Sequence, residues 1–179
     1  MSLTKIVRKV FEPRQRELLK HDTQAAELQQ KVLADLLAKA KDTGYGRNHL
    51  FGAAKGYDDF IKHTPINTYE ELKGDIDRMR HGESGILWPG KVKWYAKSSG
   101  TTNDKSKFIP VSPEGLKHLH YCGGRDSVAW YLQNNPKSRL FDGRALILGG
   151  SHAPNYNLPG SLVGDLSAIL IENVPKPVN

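Results

Sequence analysis

Val92, Trp94 and Ala96 alternate with Lys91, Lys93, Tyr95 and Lys97, and a second short apolar run, Phe108-Ile109-Pro110-Val111, begins at residue 108. The alternation has the two-residue period of a strand with one buried face. Between the two runs, Ser98 to Ser106 is small and polar. Strand, polar loop, strand is therefore the expected order, in a chain whose first half reads as helix. The fold class that follows is α/β: residues 1–82 mainly helical, residues 86–179 mixed strand and helix.

The helical half is legible from spacing. Leu3, Ile6, Val7, Val10 and Phe11 lie on one helical face, expected to dock on the protein's own core, and Pro13 is expected to stop or restart that helix. From about Asp22 to Lys41, Ala25, Leu28, Val32, Leu36 and Ala40 form a second stripe, widened by Leu33 and Leu37. Asp22 or Thr23 can cap its start, and Gly44 and Gly46 suit its exit. Tyr57 to His63 is a short helical piece. Thr68-Tyr69-Glu70-Glu71 is a capping box, opening a helix that buries Leu72, Ile76 and Met79 and ends near Gly82.

Ile86-Leu87-Trp88 precedes a Pro89-Gly90 turn. Ser112-Pro113 reads as an N-cap with proline at the first helical position, starting a helix to about Asn134 in which Gly123-Gly124 is the weak point. Ala145 to Leu148 is expected as a compact apolar strand, residues 149–160 as a loop, and residues 165–171 as apolar again. Trp88, Trp94 and Trp130 are read as core. After Val174-Pro175-Lys176-Pro177 no closing element is evident, and the expectation is a chain truncated within a larger domain. Such a segment is expected to expose apolar area and to self-associate.

Charge limits the partners. The net charge of +7 is concentrated in two places. Residues 1–20 carry six basic against two acidic side chains, and residues 91–107 carry five lysines against Asp104. A duplex-binding protein spreads its basic residues along a groove-reading face. Clustering around one Gly-Ser-Thr loop fits a small polyanion instead, so no nucleic-acid partner is expected. No apolar run approaches the ~20 residues that cross a bilayer. The single cysteine, Cys122, cannot form an internal disulfide, which is consistent with a reducing compartment, and the cytoplasm is the default location.

The loop carries the chemistry. A triphosphate requires inward-turned amides, hydroxyl donors and a cation. Gly100 permits close backbone approach, Ser98, Ser99, Thr101 and Thr102 supply hydroxyls, and Lys107 is placed to reach back over the loop. The pattern is not the Walker loop, which opens a helix, nor the dinucleotide fingerprint. On composition alone a phosphate cradle and an ordinary Ser/Thr-rich turn both remain open.

Ser98-Ser99-Gly100-Thr101-Thr102, with Lys107 and Ile109-Pro110, resembles the first signature of the adenylate-forming superfamily. The likeness is strongest to the auxin-responsive-promoter (Gretchen Hagen) acyl-acid amido synthetases. Thr64-Pro65-Ile66-Asn67-Thr68-Tyr69-Glu70 resembles that branch's Pro-x-x-Thr-Tyr-Glu segment, and the likeness covers most of residues 40–150. Asp104 stands where many members of the superfamily carry glycine. The resemblance implies the N-terminal portion of a large adenylation domain, with residues 98–107 as its phosphate-binding loop. It further implies an enzyme that uses ATP and Mg²⁺ to convert a small-molecule carboxylic acid to an acyl adenylate. An amine, an amino acid in this branch, then takes the acyl group as an amide. Two alternatives stay open: a thioester-forming ligase with the same first half-reaction, and a non-catalytic nucleotide-binding module. The later signatures for adenine, ribose and the lid are absent, so the catalytic residues are unknown and the segment alone is expected to be inactive.

His152 follows Gly149-Gly150-Ser151, where α/β proteins place ligand-facing groups, and is a candidate wall of the acid pocket or a hydrogen-bonded loop histidine. His118, His120 and Cys122 lack a fourth partner, so no metal site is expected.

Overall fold

A computed structural model describes residues 2–98 and 106–175. In chain order the elements are helices α1 (Leu3–Leu18), α2 (His21–Ala40), α3 (Gly44–Asn48), α4 (Tyr57–His63) and α5 (Tyr69–Arg80), then strands β1 (Trp94–Lys97) and β2 (Phe108–Val111). A π-helical segment, Gly115–Tyr121, leads into α6 (Cys122–Asn134), followed by a 3₁₀ turn at Pro154–Tyr156, β3 (Leu162–Gly164) and α7 (Leu166–Glu172). The chain divides into two compact units, Met1–Leu28 with Glu114–Leu148, and Gln29–Pro113 with Gly149–Asn179.

In the first unit α1 packs on α6, and it does so through polar residues. The Arg8 guanidinium donates to the carbonyls of Leu132, Asn135 and Pro136, covering the open C-terminal end of α6. Gln15 donates to the Ala129 carbonyl, and Arg14 pairs with Asp126. Buried Thr4 donates its amide to Asp142 and accepts the Phe141 amide on its hydroxyl. The face that turns inward is thus Thr4, Val7, Arg8, Phe11, Gln15 and Leu18. Leu3, Ile6 and Val10, expected inside, are exposed. Pro13 neither stops nor restarts the helix: α1 runs through it, held along its length by these bonds despite the amide that proline lacks.

The second unit holds the sheet, in the order β2-β1-β3. β1 pairs antiparallel with β2, Lys97 opposite Phe108, and parallel with β3, Ala96 opposite Gly164. β1 is central, and with Trp94, Tyr95 and Ala96 all buried it is covered on both faces. Tyr95, expected on a solvated face, is fully buried in a core with Ile76, Met79, Ile86, Val92 and Val163.

Helix α5 starts as the capping box requires, with the Thr68 amide donating to the Glu71 carboxylate at 2.6 Å. It ends with the Gly82 amide on Met79 and the Glu83 amide on Arg78, the paired bonds of a Schellman cap. Thr43 joins α2 to α3: its hydroxyl donates to the Ala40 carbonyl and accepts the Gly46 amide. Only Leu37 and Ala40 of the α2 stripe are buried, while Val32 and Leu36 face outward. The expected cap at Asp22 or Thr23 is replaced by a kink at Gln24, where the backbone leaves helical geometry.

Two further expectations fail. Gly123-Gly124 does not break its helix, because α6 continues through both, and the irregularity falls earlier, in the π-helical turns. Ala145 to Leu148 forms no strand. Leu146, Ile147 and Leu148 are 84%, 75% and 85% exposed, and an apolar run becomes a strand only where a neighbour accepts its amides.

Candidate functional site

Ser98 and Lys107 close the neck of the β1–β2 hairpin. The Ser98 amide donates to the Lys107 carbonyl at 2.9 Å, and the Lys107 amide donates back to the Ser98 hydroxyl at 3.2 Å. Ser99, Gly100, Thr101 and Thr102 lie outside the described residues, as do Asp104 and Lys105. The segment therefore joins two strands, as expected.

Helix α5 grips this neck. The Tyr69 phenol oxygen accepts the Phe108 amide at 3.0 Å, and the Lys107 ammonium stands 5.4 Å from the centre of the Tyr69 ring. At the other end of the helix, the buried Arg80 guanidinium lies 3.8 Å over the Phe108 ring and donates to the Tyr156 carbonyl at 2.8 Å. Tyr156 packs its ring 5.7 Å from that of Phe108 and carries the Lys97 ammonium 4.5 Å above it. Each exposed cation–ring contact contributes about 0.5–1 kcal/mol. Their joint effect is positional, for they hold three cations, Lys97, Lys107 and Arg80, around the hairpin base.

His152 arrives at the same end of the sheet. It bridges to Gly164, which pairs with Ala96 at the carboxyl end of β1, and its ring packs 5.4 Å from that of Trp94. The turn before it is fixed from α7. The Ser151 amide donates to the Asp165 carboxylate at 2.9 Å, and the Gly150 amide donates to the Ser167 hydroxyl at 2.7 Å. A Cβ at Gly150 would lie 2.2 Å from Asp165 Oδ2, so only glycine fits there without a shift. Of the predicted set, Ser98 and Lys107 stand together at the β1–β2 hairpin, whereas His152 lies across the sheet beyond β3, near the carboxyl end of the parallel pair, the end where such sheets commonly hold ligands.

Sequence reasoning missed Tyr69, Arg80, Tyr156 and Lys97. Tyr69 and Arg80 sit in a helix whose pattern is fully explained by capping and core, and Lys97 in a strand explained by alternation. Their service to the hairpin comes from tertiary packing. Beneath it, burial pushes the Tyr95 phenol up to about 12, with Arg80 opposing. Among the described residues no group of three or more His, Cys, Asp or Glu side chains could hold a metal ion. No helix among them is long and apolar enough to cross a membrane.

Residues 14–175 match the model of the GH3 family N-terminal domain. The chain belongs to the GH3 family. The match reaches beyond residues 40–150 at both ends and includes the hairpin and His152. Among GH3 relatives, a probable indole-3-acetic acid-amido synthetase GH3.7 of Oryza sativa subsp. japonica is 33% identical over 51% of this chain and 16% of its own length. A second rice relative, probable indole-3-acetic acid-amido synthetase GH3.1, is 32% identical over 74% of this chain and 22% of its own. The Arabidopsis thaliana indole-3-acetic acid-amido synthetase GH3.15 is 32% identical over 53% of this chain and 16% of its own. The chain thus spans between 16% and 22% of the length of these relatives.

A solved GH3.15 acyl acid amido synthetase superposes on the whole chain with a TM-score of 0.76 and 21% identity, and this chain covers 30% of it. AtGH3.15 acyl acid amido synthetase in complex with 2,4-DB superposes on 84% of the chain with a TM-score of 0.72 and 22% identity. The α/β fold is that of this GH3 region.

Proposed function

We propose that this chain supplies the phosphate-binding part of an ATP-dependent ligase that activates a carboxylic acid and joins it to an amine. The acid is a small molecule, and the amine an amino acid. One observation carries the reading: a Ser/Thr-rich hairpin loop is closed by Ser98 and Lys107 at the carboxyl end of parallel strands. The names of the relatives, indole-3-acetic acid-amido synthetases, support the same chemistry.

In this reading the hydroxyls of Ser98, Ser99, Thr101 and Thr102, with the backbone at Gly100, hold the β- and γ-phosphates. Lys107 sets its point charge over them. The α-phosphate then lies in line for the substrate carboxylate, whose oxygen bonds to phosphorus as pyrophosphate leaves. The loop's contribution is electrostatic and is in place before the charge moves. Mg²⁺ comes with the phosphates, since among the described residues no group of three or more His, Cys, Asp or Glu side chains could hold it without them. His152, across the sheet beyond β3, lines the acid side of the site in this reading.

The test is ATP–pyrophosphate exchange by the protein expressed from its whole reading frame, across a broad panel of carboxylic acids. Exchange that depends on one class of acid is expected. Retained ATP binding with no exchange for any acid would overturn the assignment.

A further inference from the structure

We propose that Tyr69 is a positioning residue for ATP, acting through Lys107; this rests on the phosphate-loop reading above. β2 is the edge strand of the sheet, so the Phe108 amide points away from β1 and lacks a ladder partner. The Tyr69 phenol takes that amide at 3.0 Å, and the face of the same ring lies 5.4 Å from the ammonium of Lys107, the residue immediately before. A single side chain therefore fixes both the backbone from which Lys107 projects and the place where its charge rests.

Tyr69 is itself held by a rigid support. It is the first residue of α5, its backbone set by the Thr68–Glu71 capping box. Farther along, Ile76 and Met79 anchor that helix in the core beside Tyr95. Arg80, on the Phe108 ring, prevents the strand from pivoting about the Tyr69 bond. The lysine is consequently held relative to the sheet rather than to the loop it covers. This pre-organises a long side chain that would otherwise lose rotamer freedom on meeting phosphate.

Two substitutions separate the two contacts. Tyr69→Phe removes the hydroxyl and keeps the ring, while Tyr69→Leu removes both. Each is made in the full-length protein, alone and together with Lys107→Ala. The dissociation constant for ATP is measured by calorimetry, with KM for ATP and for the acid in pyrophosphate exchange.

Tyr69→Leu is expected to weaken ATP roughly tenfold and Tyr69→Phe about threefold, with KM for the acid unmoved. In the Lys107→Ala background neither should weaken ATP further, because the residue through which Tyr69 acts is gone. An equal loss in both backgrounds, or an equal rise in KM for the acid, would make Tyr69 a structural residue and overturn the proposal while leaving the loop assignment standing. Unchanged ATP affinity in Lys107→Ala alone would instead bring down the loop assignment itself, and this proposal with it.

Discussion

Arg14 grips Asp126 with two hydrogen bonds, Nε to Oδ1 at 2.8 Å and Nη2 to Oδ2 at 2.7 Å, joining α1 to α6. Both side chains are mostly shielded from solvent, and the guanidinium holds the Asp126 carboxyl below the usual carboxylate range. A carboxylate with a lowered folded pKa stabilises above its unfolded value, about 3.9, and loses that contribution as pH falls through the folded value. Asp126→Asn should therefore cost about 1–3 kcal/mol at pH 7, and the gap to wild type should narrow progressively as pH falls below about 4. Urea melts at pH 7 and pH 3 check this. An equal gap at both would mean that packing, not charge, joins the helices.

Gly46 is confined by its neighbours. A Cβ there would lie 2.0 Å from the Ala40 carbonyl oxygen, a backbone atom that cannot rotate aside. Gly46→Ala should cost at least about 2 kcal/mol by forcing the α2–α3 junction apart. Gly56→Ala, where nothing lies within 4 Å, is the control. Comparable melting temperatures for the two variants would contradict this close approach.

What could be read from sequence divides along a physical line. The Thr68–Glu71 capping box and the strand–loop–strand order around Ser98 and Lys107 depend on neighbours in the chain, and both stand in the structure. The α1 face was misjudged because Thr4, Arg8 and Gln15 dock there through hydrogen bonds to α6 and the segment after it, which an apolar stripe cannot reveal. Tyr95 departs from the alternation because alternation assumes one wet face, and here both faces of β1 are covered. Ala145 to Leu148 has strand composition without a partner among the described residues. At the site, residue types suggest the loop, but Tyr69 and Arg80 reach the hairpin base only through the packing of α5 on β2.

The Tyr95 hydroxyl is buried and has no hydrogen-bond partner among the described residues. Removing an unsatisfied hydroxyl relieves its desolvation cost, so Tyr95→Phe should leave stability unchanged or raise it by about 1 kcal/mol. Wild type should also lose stability between about pH 10, where the unfolded phenol ionises, and about 12, its folded value. The variant should lack that alkaline loss. Destabilisation by Tyr95→Phe at pH 7 would show that the hydroxyl holds a buried water.

Lys107 is the cation fixed where the hairpin closes, its backbone bonded to Ser98 in both directions and its ammonium resting over Tyr69. Lys105 lies between the two strands in sequence, two residues before the lysine at the strand end. A charge held in place before the substrate arrives contributes more than one that must be ordered by it. In the full-length protein, Lys107→Ala should therefore weaken adenylation much more than Lys105→Ala. Loss of one charge-assisted contact to phosphate should cost about 1.5–3 kcal/mol, or roughly ten- to a hundredfold in rate. The loss belongs to the ATP half-reaction, so transfer from a supplied acyl adenylate should stay close to wild type. Pyrophosphate exchange and amide formation from synthetic adenylate, measured on both variants, separate the two steps. If Lys105→Ala proves the more damaging, the phosphates rest on the loop rather than on its neck, and Lys107 is an ordinary strand-end lysine.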